Sequence, residues 1–282
     1  MRGGVTCNHG RRGDLLNALV ATFRRSWTVT WRAYPFVFFL ATLMLGGLTV
    51  GLAYIALHVI GGGQVGRDFV DKAGTADYFS YVAVGAASFM FTVRLFLGAS
   101  RDLLVEQRGG TLGALLVAPG RRVSYLLGFA AFGLFQALLE VIVLIVFAIL
   151  LGASMSPVHP FTLLVGVLVL TVSVICVAVP FACVMVTAGE AHITQNTFIY
   201  AVAVLCGFTF PISYLPGPVR LLGELIPITP ALELLRGGMS GHGTLGTMLP
   251  QLLIALGLAF CYALAGLAWL PHALRRAMER TF

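Results

Sequence analysis

Charge is what this chain has least of. Only 10% of its 282 residues are charged, and a single one of them, Lys72, is a lysine. A soluble domain carries about 25% charged residues. Eighteen basic and 11 acidic residues cannot coat the surface of the two soluble domains of about 150 residues that this length would otherwise give. Soluble enzymes, nucleic-acid-binding modules and disordered chains are therefore excluded. The lysine shortage also excludes a P-loop, which needs Lys followed by Ser or Thr; Ala73 follows Lys72. Cysteine is sparse too. Cys7, Cys176, Cys183, Cys206 and Cys261 form no C-x-x-C and no Cys/His cluster. They read as free thiols packed as small hydrophobes, not as a disulfide frame or a metal site.

What is present is apolar. Hydrophobic residues make up 59% of the chain, and the mean hydropathy is +0.94. A helix needs about 20 mostly apolar residues to cross about 30 Å of hydrocarbon. Six segments are predicted as crossings: Phe36–Ile60, Tyr81–Ala99, Val123–Leu151, Phe161–Val186, Thr197–Phe210 and Leu249–Leu270. The fifth is short and ends at Pro211. The layout is thus a terminus at 1–35, a six-span body at 36–270 and a tail at 271–282. The fold class is all-α integral membrane.

The loops orient the chain. With the amino terminus inside, the inner segments hold thirteen Arg and Lys and the outer segments four: Arg67, Lys72, Arg220 and Arg236. Basic loops stay on the cytoplasmic side, so both termini are expected in the cytoplasm and the protein in the cell (inner) membrane. The net charge of +7 then reflects orientation, not nucleic acid. Tyr78, Tyr81 and Tyr214 are expected at the outer interface. Arg11, Arg12, Arg24, Arg25 and Arg32 interrupt residues 1–33, so no signal peptide is expected there.

Three segments are not simple crossings. Leu16, Leu19, Val20, Phe23, Trp27 and Trp31 recur at spacings of 3 and 4, which predicts an amphipathic helix lying in the inner interface. Residues 101–117 carry an apolar stripe at Leu104, Leu112, Leu115 and Leu116, with Glu106 and Arg108 polar and Pro119 as the stop. This predicts a short cytoplasmic helix offering one face to a partner. Pro211, Pro216, Pro218, Pro227 and Pro230 punctuate an apolar stretch, which predicts a pair of short helices dipping back into the outer leaflet.

Glu140 is the one acid deep in a span, with Gln136 four residues earlier on the same face. A carboxylate there must face the bundle interior or a wet cavity. It stands either on a substrate path or in a structural hydrogen bond. Arg94 is close enough to its span's inner end to snorkel. Gly47 and Gly51 form a G-x-x-x-G, a candidate close helix contact. Gly241-His-Gly243-Thr-Leu-Gly246 matches G-x-G-x-x-G without a preceding strand and reads as a loop.

The run Glu106-Gln-Arg108-Gly-Gly110-Thr111-Leu112, followed by Leu115-Leu116 and Pro119, resembles the signature of ABC transporter permeases of the type-2 exporter family. Pro211-Ile-Ser-Tyr-Leu-Pro216 and Ile226-Pro227-Ile-Thr-Pro230, followed by Leu234-Leu235-Arg236, look like that family's second pattern. Gly109 departs from the first pattern, where a bulkier residue is common. The resemblance implies six spans, a coupling helix after the second, and two permease copies served by two ATPase subunits. ATP and Mg would belong to those subunits, with no cofactor in this chain. It places Glu106, Arg108, Gly110, Thr111, Leu112, Leu115 and Pro119 in the coupling region. The expected activity is export of an amphipathic small molecule, drug-like natural product or lipid. The alternative is export of a lipid-linked polysaccharide. An intramembrane enzyme, which would draw on Ser88, Ser173, His58 or Glu140, and a non-transporting assembly or sensory subunit are the rival classes.

Overall fold

The computed structural model describes residues 20–28, 32, 37–60, 62, 64–75, 77–108, 121–154, 158–188, 191–239 and 244–279, and along 97–108 and 121–130 the backbone alone. No strand occurs among the described residues. We number the helices α1 (20–28), α2 (Val37–Ile55), α3 (Arg67–Ala73), α4 (Tyr78–Arg108), α5 (Arg121–Leu150), α6 (Pro160–Ala188), α7 (Ala191–Leu205), α8 (Gly217–Glu224), α9 (Ile228–Met239) and α10 (Leu249–Glu279). A π-helical turn, Ala56–Ile60, extends α2, and a 3-10 turn, Ile212–Tyr214, precedes α8.

Five helices are long and apolar enough to cross a membrane, over Leu43–Ile60, Tyr78–Phe96, Ala131–Leu150, Pro160–Met185 and Leu249–Ala273. The expected fifth of six crossings differs. Its helix, α7, starts at Ala191, ends at Leu205 and has 15 residues. At 1.5 Å per residue it spans about 22 Å, short of the hydrocarbon thickness. Gly207, at φ 62°, turns the chain before Pro211.

α4 is the hub. Of its apolar stretch 78% is buried, against 17% for α2 and α10. On one side, Ala83, Ala86 and Met90 of α4 pack with Val50 of α2 and Leu144 and Ala148 of α5. On the other, Phe91 and Phe96 join Leu170, Val174 and Phe181 of α6, Val202 of α7 and Leu234 of α9. The rings of Phe96, Phe181 and Phe198 stack with centroids 4.2–5.1 Å apart. Lipid tails are as apolar as leucine, so water does not drive these helices together and small residues that permit close packing matter most. The sequence singled out Gly47 and Gly51 for that role. Within this chain the tight glycine of α2 is Gly46, where a Cβ would lie 3.1 Å from Leu144 and Met90; at Gly51 it would meet nothing within 4 Å.

α6 contains Pro180, and α10 passes directly over it at Gly266. A Cβ at Gly266 would sit 2.8 Å from the Pro180 nitrogen. α9 packs on both α6 and α10, with Ala231, Leu232, Leu234 and Leu235 nearly inaccessible. It is core, although proline-rich sequence surrounds it.

α1 carries part of the predicted apolar stripe. Phe23 and Trp27 meet Phe132 and Phe135 of α5 edge to face at 5.5–6.5 Å. Leu16, Leu19 and Trp31 lie outside the described residues. At the opposite end of α5, a cap forms from α3, the 3-10 turn, α8 and α9. The sequence marked 61–80 as loop. Seven residues of α3 are too few to show a period, but Phe69 anchors them against Tyr78 and Tyr81 at 5.1 and 5.4 Å. Gly74, at φ 68°, ends the helix, and its N–H reaches the Val70 carbonyl.

Candidate functional site

The packing of α4 on α5 brings together two charges that are 46 positions apart. Arg94 Nε donates to Glu140 Oε2 at 3.0 Å, and Nη2 contacts Oε1. Both residues are under 10% exposed. A two-pronged guanidinium–carboxylate pair is among the strongest charge-assisted contacts. Arg94 therefore turns inward instead of snorkelling to the membrane edge. Glu140 has a fixed cation beside it, and Gln136, one turn away, is half-exposed.

Two of the residues expected in a coupling region, Glu106 and Arg108, fall at the other end of α4. This helix is one 31-residue rod from Tyr78 to Arg108, so Glu106 and Arg108 stand on the continuation of a crossing, not on a separate short helix. Gly110, Thr111, Leu112, Leu115 and Pro119 lie outside the described residues.

At the cap the structure shows a centre built on Arg236, which the sequence placed at the end of the second family pattern without assigning it a partner. Arg236 of α9 reaches α4 and the turn after α7. Its Nη1 donates to Tyr81 Oη at 2.7 Å, and its Nη2 donates to the carbonyls of Phe208 at 2.5 Å and Gly207 at 3.1 Å. Its guanidinium also lies 3.9 Å from the Tyr81 ring centroid. Tyr81 thus has its hydroxyl and one ring face against protein. Gly85, one turn below Tyr81, makes the approach possible: a Cβ there would lie 1.6 Å from the Phe208 oxygen.

A second polar tie sits nearby. Asp77 caps α4, its Oδ1 accepting the Ser80 N–H at 3.0 Å. Ser154, after α5, donates its hydroxyl to Asp77 Oδ2, and Ser80 Oγ donates to the Ser154 carbonyl at 2.9 Å. Partial burial pushes the Asp77 carboxyl up, but hydrogen bonds from Ser154 and Ser80 outweigh it and hold the pKa below the usual 3.8. Glu233 goes the other way. Although its side chain is open to the cavity, the protein packed around it raises its pKa above the usual 4.5; Arg236 opposes the rise, and Glu224 adds to it.

These groups surround a cavity of ≈ 570 Å³ lined by Lys72, Asp77, Tyr81, Arg220, Glu233 and Arg236, among others. Three of the four bases expected outside, Lys72, Arg220 and Arg236, meet at this one cavity. Their presence against the charge bias was the available sequence signal; the carbonyls that hold Arg236 leave no side-chain trace.

The geometry is that of an apolar helical bundle with a charged pair inside it and a polar cap at one end. No group of three or more His, Cys, Asp or Glu suited to a metal occurs among the described residues. The family model of the ABC-2 type transporter matches residues 17–240. No curated protein matches the chain. The match takes in every described crossing except α10, and its residues include both buried charges and Arg236. The chain belongs to the ABC-2 type transporter family and is a membrane permease of an ABC transporter.

Proposed function

We propose that this chain is the permease subunit of an exporter that carries an amphipathic small molecule, drug-like natural product or lipid out of the cell. Two copies of the permease, identical or not, form the path, and separate ATPase subunits drive it. The amino-terminal and carboxy-terminal ends face the cytoplasm, and α7 with the turn after it makes a sixth, incomplete crossing. In this reading α8 and α9 dip into the outer leaflet.

The observation that carries the reading is the length of α4. Its 31 residues reach about 46 Å, some 16 Å more than the hydrocarbon core. The excess lies at the Arg101–Arg108 end, because the Tyr78 end is pinned in the cap. α5 begins just beyond with Arg121 and Arg122. The Arg101–Arg108 end of α4 therefore stands clear of the lipid, where a soluble ATPase could press on it. Force applied there passes straight along α4 to Arg94, Glu140 and the cap. Gln136 and Glu140 line the moving part of the path.

Glu106 is the residue to test. A charge at that end cannot touch cargo within the bilayer, but it can pair with a base on the ATPase. In the reconstituted complex, Glu106→Ala should lower ATP-driven transport and substrate-stimulated ATP hydrolysis together, at unchanged membrane abundance. Normal transport by this variant would remove Glu106 from the coupling role.

A further inference from the structure

The cap cavity holds polar groups that the protein itself leaves without partners. Among the described residues, the buried side-chain polar atoms without a hydrogen-bond partner include three on residues lining this cavity: Ser213 Oγ, Arg236 Nε and Gln251 Oε1. A buried polar atom without a partner costs free energy and calls for an explanation. Glu233 lines the same space, exposed, and makes no hydrogen bond or ion pair among the described residues. Lys72 also makes no ion pair there; its ammonium lies 4.1 Å from the Tyr214 ring centroid, which leaves its donors free. The other charges are committed, Arg220 to Glu224 at 2.7 Å and Asp77 to Ser80 and Ser154.

The uncommitted set is therefore balanced. Lys72 and Arg236 Nε offer donors beside positive charge. Glu233 and Gln251 Oε1 offer acceptors, one of them charged. A simple anion would leave Glu233 unanswered, and a simple cation would leave Lys72 unanswered. A group carrying both charges answers both.

We propose that the cap cavity binds a zwitterionic group, an ammonium joined to a phosphate or carboxylate, with its anionic oxygens toward Lys72 and Arg236 and its ammonium toward Glu233 and Gln251. The rim favours a lipid headgroup as the source. α8 brings Arg220 to the cavity while its neighbours Leu221, Leu222 and Leu225 are more than half exposed. Such a helix sits with its leucines in the acyl region and its charges at headgroup depth. A free zwitterion of the same chemistry would satisfy the cavity equally. This site needs neither ATPase nor cargo, so it stands or falls separately from the transport reading.

Equilibrium binding to the purified full-length permease tests it. Three probes are compared by native mass spectrometry: dihexanoyl phosphatidylethanolamine, dihexanoyl phosphatidylglycerol and glycerophosphoethanolamine. The ethanolamine lipid should bind about tenfold tighter than the glycerol lipid. Glu233→Gln should weaken ethanolamine-lipid binding about tenfold, and Lys72→Ala several-fold, whereas Asp102→Asn, a matched charge change at the far end of α4, should leave it unchanged. Glycerophosphoethanolamine binding as tightly as the lipid identifies a soluble ligand, and binding only with chains attached identifies a lipid; both support the proposal. Equal binding of the two lipids, or full affinity in both variants, overturns it. Melting curves establish that each variant is folded. If Glu233→Gln does not fold, Lys72→Ala and the ratio of the two lipids decide.

Discussion

Two arginines, Arg94 buried and Arg236 half-buried, are held in opposite ways. Arg94, within the bundle, is met by a carboxylate, so the pair is neutral as a unit. Arg236, in the cap, is met by two carbonyls, a phenol and an aromatic face, and no carboxylate touches it. The first arrangement suits a site that lipid surrounds, where an uncompensated charge is costly. The second suits a site that opens to a polar cavity, where solvent or a ligand supplies the counter-charge. The difference separates a tie between crossings from a charge kept available.

Cutting the first tie should have the largest effect. Glu140→Leu takes the carboxylate away from the buried Arg94 guanidinium, at a cost of about 3–5 kcal/mol. Melting temperature and membrane abundance should both fall sharply. Adding Arg94→Met should recover most of the loss, because an apolar pair of similar size is about neutral against a buried ion pair. If the double variant regains abundance but not transport, the pair has a role on the path beyond holding α4 to α5.

The second arrangement should break more gently. Arg236→Lys keeps the charge but loses the planar fork that reaches three acceptors at once. Leaving one buried carbonyl without a donor costs about 1–3 kcal/mol. The melting temperature of the purified permease should drop by correspondingly less than in Glu140→Leu. An equal drop would mean that the fork carries as much as the ion pair, and the comparison would fail.

Asp77 gives a smaller effect with a pH signature. Its pKa in the folded protein is depressed below 3.8. Its stabilising contribution is therefore present above that unfolded-state value and is lost as pH falls through the lower, folded-state pKa. Asp77→Asn should cost about 1 kcal/mol at neutral pH, the worth of its hydrogen bonds at a half-buried site, and should flatten the acid limb of the melting profile. Smallest of all is Arg220→Ala. The Arg220–Glu224 pair is 50% and 43% exposed, and an exposed i,i+4 pair contributes within about 0.5 kcal/mol. Its melting temperature should barely move.

Much of this architecture was legible in the sequence. Long apolar runs marked α2, α4, α5, α6 and α10, because crossing a membrane imposes a length and a composition. The family pattern around Glu106 and Pro211 was equally readable. What escaped depended on partners distant along the chain. Nothing near Arg94 names Glu140 as its partner, so position alone suggested snorkelling. Nothing near Arg236 reveals that backbone carbonyls at 207 and 208 receive it. α3 was too short to show periodicity, and the shift from Gly47 to Gly46 reflects a helix rotation that spacing alone does not fix.

The meeting of Pro180 with Gly266 has a mechanical meaning. Proline has no N–H to give, so the carbonyl of Cys176 loses its donor within α6 and the rod is notched there. α10 lies against the notch with bare backbone, and Cys183 Sγ reaches the Gly266 carbonyl at 3.8 Å. A notched rod splinted at its weak point does not bend alone. Any flexing of α6 during a transport stroke is handed to α10, and α9, resting on both, carries it onward to the cap.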